Sequence, residues 1–253
     1  MPNGTEINAT YTENGTWWAI NTFADYGEYK INATYIGLDN VTITNATISV
    51  KKIQTVIVAD DISATYNINK DLVITLKDSA GKALSGFKVT LDLNGVKEYT
   101  TDANGQVKVN AKGLSPKTYT AKITFNGYNA YDNSSKEVKV TVQKATPKII
   151  AKKKTYKAKA NKKFTITLKD NLGKPIKNAK VRLVVKKIAK KAKKTNKKTT
   201  KKYKIKNIKK TNKKGKATFK VKRNKKGKYT AVIKYYGNNY FKAITKKVKI
   251  TIK

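Results

Sequence analysis

Apolar residues return at every second position along most of this 253-residue chain. Leu72, Ile74 and Leu76 form one such set, Val89, Leu91 and Leu93 a second, and Tyr119, Ala121, Ile123 and Phe125 a third. Val138, Val140 and Val142 follow, and far downstream Tyr229, Ala231, Ile233 and Tyr235, then Val248, Ile250 and Ile252, repeat the pattern. Period two places all members of a set on one face of a strand, so the pattern predicts antiparallel strands with one buried side. Turn-forming tetrads and triads (DSAG, LNG, DANG, SPK) punctuate the runs. Their spacing predicts about seven short strands in each sandwich-sized unit.

The alternating sets belong to a repeat. GEYKINATYIG (27–37), KTYTAKITFNG (117–127) and GKYTAVIKYYG (227–237) share one frame. So do VITLKDSAGKALSGFKVTL (73–91) and FTITLKDNLGKPIKNAKVRL (164–183), and so do the turns TYTENGTWWA (10–19), TTDANGQVKV (100–109) and KTNKKGKATF (210–219). The first two copies align without a gap at an offset of 90; the second and third begin at 92 and end at 110. The third copy therefore carries about eighteen extra residues, which fall in KKIAKKAKKTNKKTTKKYKIKNIKK (186–210), so this lysine run is a lengthened hairpin rather than a tail. Three units result: 1–52, which holds only the final strands of a repeat; 53–144, complete; and 145–253, complete with the extended hairpin. A tyrosine opens the penultimate strand of each (Tyr29, Tyr119, Tyr229), the place of the tyrosine corner in Ig-like sandwiches. The expected fold is all-β: tandem Ig-like antiparallel β-sandwiches with a truncated N-terminal unit. The half-repeat at 1–52 leads us to expect that this sequence is the C-terminal part of a longer protein.

Charge divides sharply among the units. The chain has 57 basic and 15 acidic residues, a formal net charge of +42. Residues 1–52 carry −2, residues 53–144 carry +3, and residues 145–253 carry +41 with Asp170 as their single acid. A codon bias shared by one gene cannot produce that jump between homologous units. Only Arg182 and Arg223 are arginines, which favours diffuse attraction by lysine over bidentate phosphate or base-edge reading. In KKVKITIK, Lys247, Lys249 and Lys253 alternate with the apolar residues and so share the outer face. Charge of one sign at this density implies an anionic partner, and it costs the folded state through self-repulsion.

Cysteine and histidine are both absent. That excludes disulfides, Ser-His-Asp and Cys-His nucleophilic catalysis and most zinc chemistry, so neither an enzyme nor a metal or other cofactor is expected. No apolar run reaches the length of a membrane span, and the first residues have neither the basic nor the apolar region of a signal peptide. The polyanion-binding candidates are Lys186, Lys187, Lys190, Lys191, Lys193, Lys194, Lys197, Lys198, Lys201 and Lys202, together with the strand-face lysines. Asn-x-Ser/Thr sequons fall at Asn3, Asn8, Asn14, Asn32, Asn40, Asn45 and Asn133, none of them in the last unit. Asp78 and Asp170, each in TLKD ahead of a turn glycine, read as turn caps, with a Lys–Asn or Lys–Asp isopeptide as the lesser alternative. Asp60–Asp61 supplies too few ligands for a calcium ion alone. Trp17 and Trp18 should place one ring in the core and one in solvent. Tyr235–Tyr236 and Tyr240–Phe241 are read as core rings first and as stacking surfaces for sugars or bases second.

The run VITLKDSAGKALSGFKVTL…TTDANGQVKV…KTYTAKITFNG resembles the Ig-like modules of invasin and intimin type. It is most similar to the tandem repeats of adhesin-like surface proteins of methanogenic archaea. The resemblance covers nearly the whole chain, the lysine insertion being the main departure. It implies a non-enzymatic, extracellular role: sandwich repeats that space and display, attached through the C-terminal end. With the charge division, it leads us to expect that the basic domain meets an anionic cell-wall or surface polysaccharide. A nucleic-acid-binding basic protein is the alternative, since a charge of this size binds DNA whatever its purpose.

Overall fold

In the computed structural model, residues 7–20, 26–36, 41–188 and 207–253 are described. Twenty strands occur among them. Those of the first copy are β1 (Thr10–Tyr11), β2 (Trp17–Trp18), β3 (Gly27–Ile36) and β4 (Val41–Val50), paired as two hairpins, β1–β2 and β3–β4.

The second copy runs from β5 (Thr55–Val58) through β6 (Ile62–Thr65), β7 (Asp71–Asp78), β8 (Lys88–Asp92), β9 (Val96–Thr100), β10 (Gln106–Asn110) and β11 (Thr118–Phe125) to β12 (Ser134–Gln143). The third runs from β13 (Lys148–Ile150) through β14 (Lys154–Tyr156), β15 (Lys163–Lys169), β16 (Lys180–Lys187), β17 (Asn207–Lys210), β18 (Lys216–Lys220) and β19 (Gly227–Tyr235) to β20 (Ile244–Ile252). The two copies have one topology. A three-stranded sheet, β10-β7-β5 or β13-β15-β18, accompanies a five-stranded sheet, β6-β12-β11-β8-β9 or β14-β20-β19-β16-β17. By compactness the chain divides into residues 1–61, 71–109 and 119–140 and, separately, 62–70, 110–118 and 141–253.

The expected alternation sets the burial. Leu72, Ile74, Leu76, Val89, Leu91, Ala121, Ile123 and Val140 are fully buried, as are their counterparts Phe164, Ile166, Leu168, Val181, Leu183, Ala231, Ile233 and Ile250. In the third copy they form one core, sealed by Ile149, Phe219 and Tyr229. Side chains on these faces leave water at about 25 cal/mol per Å² of apolar area, the main favourable term in a sandwich of this size. The tandem sandwich fold is thus as the periodicity predicts.

Two details depart from the expectation. Each complete copy has eight strands rather than about seven, and the sheets are not wholly antiparallel: β14 runs parallel to β20, with Lys154 opposite Ile250 and Tyr156 opposite Ile252. Both have one cause. The first strand breaks in two, β13 joining one sheet and β14 continuing in the same direction into the other. A strand that changes sheets without turning back must lie parallel to the last one.

Three local devices recur at the repeat offset. The turn after β9 closes with a backbone bond from Asp102 N–H to Gln106 C=O, repeated by Asn212 to Lys216 and by Thr12 to Thr16. Beside it, a buried threonine ties down the loop before β8 or β16. Thr101 Oγ1 donates to Leu84 C=O (2.7 Å) and accepts from Phe87 N–H (3.0 Å), as Thr211 does with Ile176 C=O (2.6 Å) and Ala179 N–H (2.9 Å). The tyrosine corner is explicit in the third copy, where Tyr229 Oη donates to Lys225 C=O at 2.7 Å.

Two buried side-chain atoms lack a hydrogen-bond partner among the described residues, Arg182 Nε and Tyr235 Oη. The Tyr235 hydroxyl is enclosed and, among the described residues, has no hydrogen-bond partner, whereas the second copy has Phe125 at the equivalent place. Burial raises the Tyr235 phenol above its ordinary value. Tyr235→Phe should therefore stabilise the fold by about 1 kcal/mol, since an unpaired buried hydroxyl costs roughly that much or more; a thermal melt reads it. The pH dependence has a definite sign. The folded state holds the phenolic proton more tightly, so this share of stability is present below about pH 10 and is lost as pH rises through the folded pKa. The variant should lack that alkaline loss.

Candidate functional site

The third copy has a core face of aliphatic and aromatic side chains and an outer face of lysines. On β20, Val248, Ile250 and Ile252 are buried while Lys247 and Lys249, and Lys253 just beyond, are exposed. The strands bring lysines directly opposite one another: Lys148 faces Lys169, Lys163 faces Lys220 and Lys180 faces Lys210. Like charges in such pairs repel. Asp170, the unit's single acid, is set in a turn, where its Oδ1 accepts from Leu172 N–H (2.9 Å) and Lys174 N–H (2.7 Å).

One lysine is not part of this surface. Lys162 is buried, and its Nζ donates to Ala158 C=O (2.5 Å), Ala160 C=O (2.8 Å) and Asn224 Oδ1 (3.3 Å). Nothing in the local sequence separates it from its exposed neighbours; only the tight 157–160 turn that it closes does so. Of the two arginines, Arg223 donates to Val185 C=O at 3.2 Å, and Arg182, within β16, has its Nε buried without a hydrogen-bond partner among the described residues.

Of the candidate polyanion contacts, Lys186 and Lys187 end β16, exposed and paired with Thr230 and Tyr229 of β19. β17 returns antiparallel to β16, Leu183 opposite Asn207 and Lys180 opposite Lys210. Both ends of the lysine run are therefore strands of the five-stranded sheet. Lys190, Lys191, Lys193, Lys194, Lys197, Lys198, Lys201 and Lys202 lie outside the described residues, as do Asn3 and Asn40 among the sequons. Asn8, Asn14, Asn32, Asn45 and Asn133 are all exposed.

The acids occupy structural positions. Asp78 Oδ1 accepts from Lys82 N–H (2.9 Å), the turn-cap arrangement also seen at Asp170. Asp61 Oδ1 accepts from Lys139 N–H (2.7 Å). The amide of Asn133 and the side chain of Gln54 hold the Asp132 carboxyl below the usual carboxylate range. Among the described residues no group of three or more acids is placed to hold a metal ion.

The aromatic residues divide unexpectedly. Tyr235 is core, Tyr236 is exposed beneath the Lys234 ammonium (5.0 Å to the ring centroid), and Tyr240 and Phe241 pack against Tyr66 at 4.9 and 5.8 Å. The first copy corrects the expectation for the tryptophans: Trp17 and Trp18 are 55% and 47% exposed, so neither ring is in a core. Trp17 packs only partly, against the rings of Tyr11 (4.9 Å) and Tyr35 (6.3 Å), and residues 1–52 carry only the final strands of the repeat.

No protein-family model matches the chain, and no curated protein matches it. Among solved structures, it is similar to invasin, a bacterial integrin-binding protein, at 17% identity, over 79% of this chain and 39% of that one, with a TM-score of 0.41. It is also similar to the D0-D1 domain of intimin, at 15% identity, 77% and 97% coverage and a TM-score of 0.27. An endo-fucoidan hydrolase of glycoside hydrolase family 107 aligns at 13% identity, with 99% and 38% coverage and a TM-score of 0.29. The chain thus spans well under half of the invasin and hydrolase structures. The fold stands on its own strand topology, and none of these likenesses bears on ligand or activity.

Proposed function

We propose that this chain is a non-enzymatic, adhesin-like cell-surface protein. In this reading, residues 1–52 and 53–144 are display and spacer units, and residues 145–253 form a basic unit that holds an anionic cell-wall or surface polysaccharide. The single observation carrying the reading is the charge division between homologous sandwiches: one topology, with a net charge of +3 over residues 53–144 and +41 over residues 145–253. Many exposed lysines on a rigid sheet, with almost no arginine, suit a repetitive charged polymer that is met by number rather than by shape.

The contact set is Lys186–Lys210 with the strand-face lysines, no residue dominant. The exposed sequon asparagines, absent from the basic unit, would carry glycans at the opposite end. The sequence resemblance to archaeal surface repeats supports an extracellular setting. The test is proteolysis of intact cells: the protein should be removed from the surface by a protease that leaves cytoplasmic markers untouched. Survival of the protein together with chromosomal DNA would sink the proposal and favour nucleic acid as the partner.

A further inference from the structure

On the paired part of the small sheet β13-β15-β18, every outward-facing position is lysine or threonine, apart from Ile150. Lys148, Lys163, Lys169, Lys216 and Lys220 lie around the rim, and Thr165, Thr167 and Thr218 fill the centre. The residues that alternate with them, among them Ile149, Phe164, Ile166 and Phe219, are buried in the core beneath.

The same sheet of the second copy presents a different face. At the repeat offsets Val56 stands for Lys148, Asp71 for Lys163, Val73 for Thr165, Gln106 for Lys216 and Asn110 for Lys220. With Lys77 and Lys108 included, the face changes from +1 (two lysines, one aspartate) to +5 (five lysines). This change works against the fold. Lys148 faces Lys169 where the second copy sets Val56 against Lys77, and Lys163 faces Lys220. Like charges placed directly opposite destabilise a sheet. A surface that weakens its own fold without a packing reason marks a functional site.

The large sheet of this unit is basic too, but in another way. There Val184 faces Val232, where the second copy sets Asp92 against Lys122, and Ile208 is 46% exposed. Apolar side chains interrupt its cations. On the small sheet the interruptions are hydroxyls. Thr165 and Thr218 bond to each other across the strands at 2.9 Å, and the pair keeps one proton and free lone pairs for a ligand. Lys163 and Lys169 open and close β15, so the two facing lysine pairs stand about 20 Å apart along the strand.

Ammonium pairs at both ends with hydroxyls between them fit a saccharide chain that bears anionic groups and keeps hydroxyls of its own. Reading nucleic acid calls for stacking rings or arginine forks, and this face has neither. An anionic bilayer calls for more apolar surface than Ile150 alone. We infer that the outer face of β13-β15-β18 is the seat of an acidic oligosaccharide, with anionic groups at the facing lysine pairs and hydroxyls at the threonines. The inference rests on the proposal that this unit holds an anionic polysaccharide, and deepens it from a charge to a face.

The test uses the full chain with short dextran sulfate oligosaccharides, and with polyphosphate as an anion that has no sugar hydroxyls. Thr165→Val/Thr218→Val removes hydroxyls and no charge, and valine already stands at the first of these places in the second copy, as Val73. It should weaken oligosaccharide binding about fivefold, the share of one hydrogen bond, and leave polyphosphate unchanged. Lys148→Gln/Lys163→Gln/Lys220→Gln should weaken the oligosaccharide about tenfold more than Lys228→Gln/Lys247→Gln/Lys249→Gln, an equal loss of charge from the large sheet. Relief of the facing pairs should also raise the first variant's melting temperature, so its weaker binding does not come from a lost fold. Equal losses in the two lysine variants overturn the inference and leave polyanion binding standing. So does a threonine variant that binds the oligosaccharide as the parent does, or that loses polyphosphate to the same degree. A parent chain that binds neither probe sinks the polysaccharide proposal and this inference together.

Discussion

Raising the sodium chloride concentration should weaken this chain's hold on a polyanion and strengthen its fold, two opposite responses to one cause. On immobilised dextran sulfate, with uncharged dextran as control, log affinity should fall linearly with log salt. Even six to ten lysine contacts would lose roughly 10³- to 10⁵-fold between about 50 and 200 mM, if the release of counterions follows that of nucleic acids. Over the same range the melting temperature of the basic unit should rise. Salt screens the facing pairs Lys148–Lys169, Lys163–Lys220 and Lys180–Lys210, and sulfate should act more strongly than chloride. Replacing the ten lysines between 190 and 206 by glutamine should lower the slope without abolishing it, because 32 of the unit's 42 basic residues remain. A flat salt response in binding, or a melting temperature that falls as salt rises, would refute the diffuse electrostatic account.

Gly215→Ala should cost about 3–5 kcal/mol of stability, in the range reserved for backbone clashes rather than for lost contacts. Gly215 has a φ of +68°, which an L-residue adopts only with strain, and an added Cβ would lie 2.5 Å from Leu168 C=O. Backbone must therefore move, and with it the bond from Leu168 N–H to Gly215 C=O (2.8 Å) that ties the turn to β15. The chain contains its own control. Gly15 occupies the same place in the first copy with a φ of +84°, but the nearest atom to its added Cβ is Tyr11 Oη at 3.9 Å. Gly15→Ala should thus show the conformational cost alone, about 1–2 kcal/mol. Equal costs, measured by chemical denaturation of the two variants, would mean that the carbonyl clash is relieved at no expense.

The contrast between those glycines also marks what could be read in the sequence. Offsets of 90 and 110 were enough to place the turns, the tyrosine corner, the core sets and the lysine face, because each depends on residues close in sequence and repeated. Alternation put one tryptophan of Trp17–Trp18 in a core, and it could not say whether anything lies over that face, which is a property of strands far away along the chain. The sheet change between β13 and β14 was hidden for a related reason: the link at 151–153 is Ala-Lys-Lys, with no glycine or proline to signal a break. Lys162 and Tyr235 were illegible in another way. A lysine that caps carbonyls and a tyrosine whose hydroxyl finds none look, by composition, like every other lysine and core aromatic nearby.

The parallel placement of β14 beside β20 bears on how the repeat would carry load. Their three rungs, Lys154–Ile250, Thr155–Thr251 and Tyr156–Ile252, join the segment where the unit's chain enters to the segment where it leaves. A pull on the two ends drives these strands past each other along their length. The rungs are then strained together in shear, whereas an antiparallel pair pulled from one end would open a bond at a time. The same sheet change that upset the expected strand count gives the repeat a mechanical latch against any pull applied between its two chain ends.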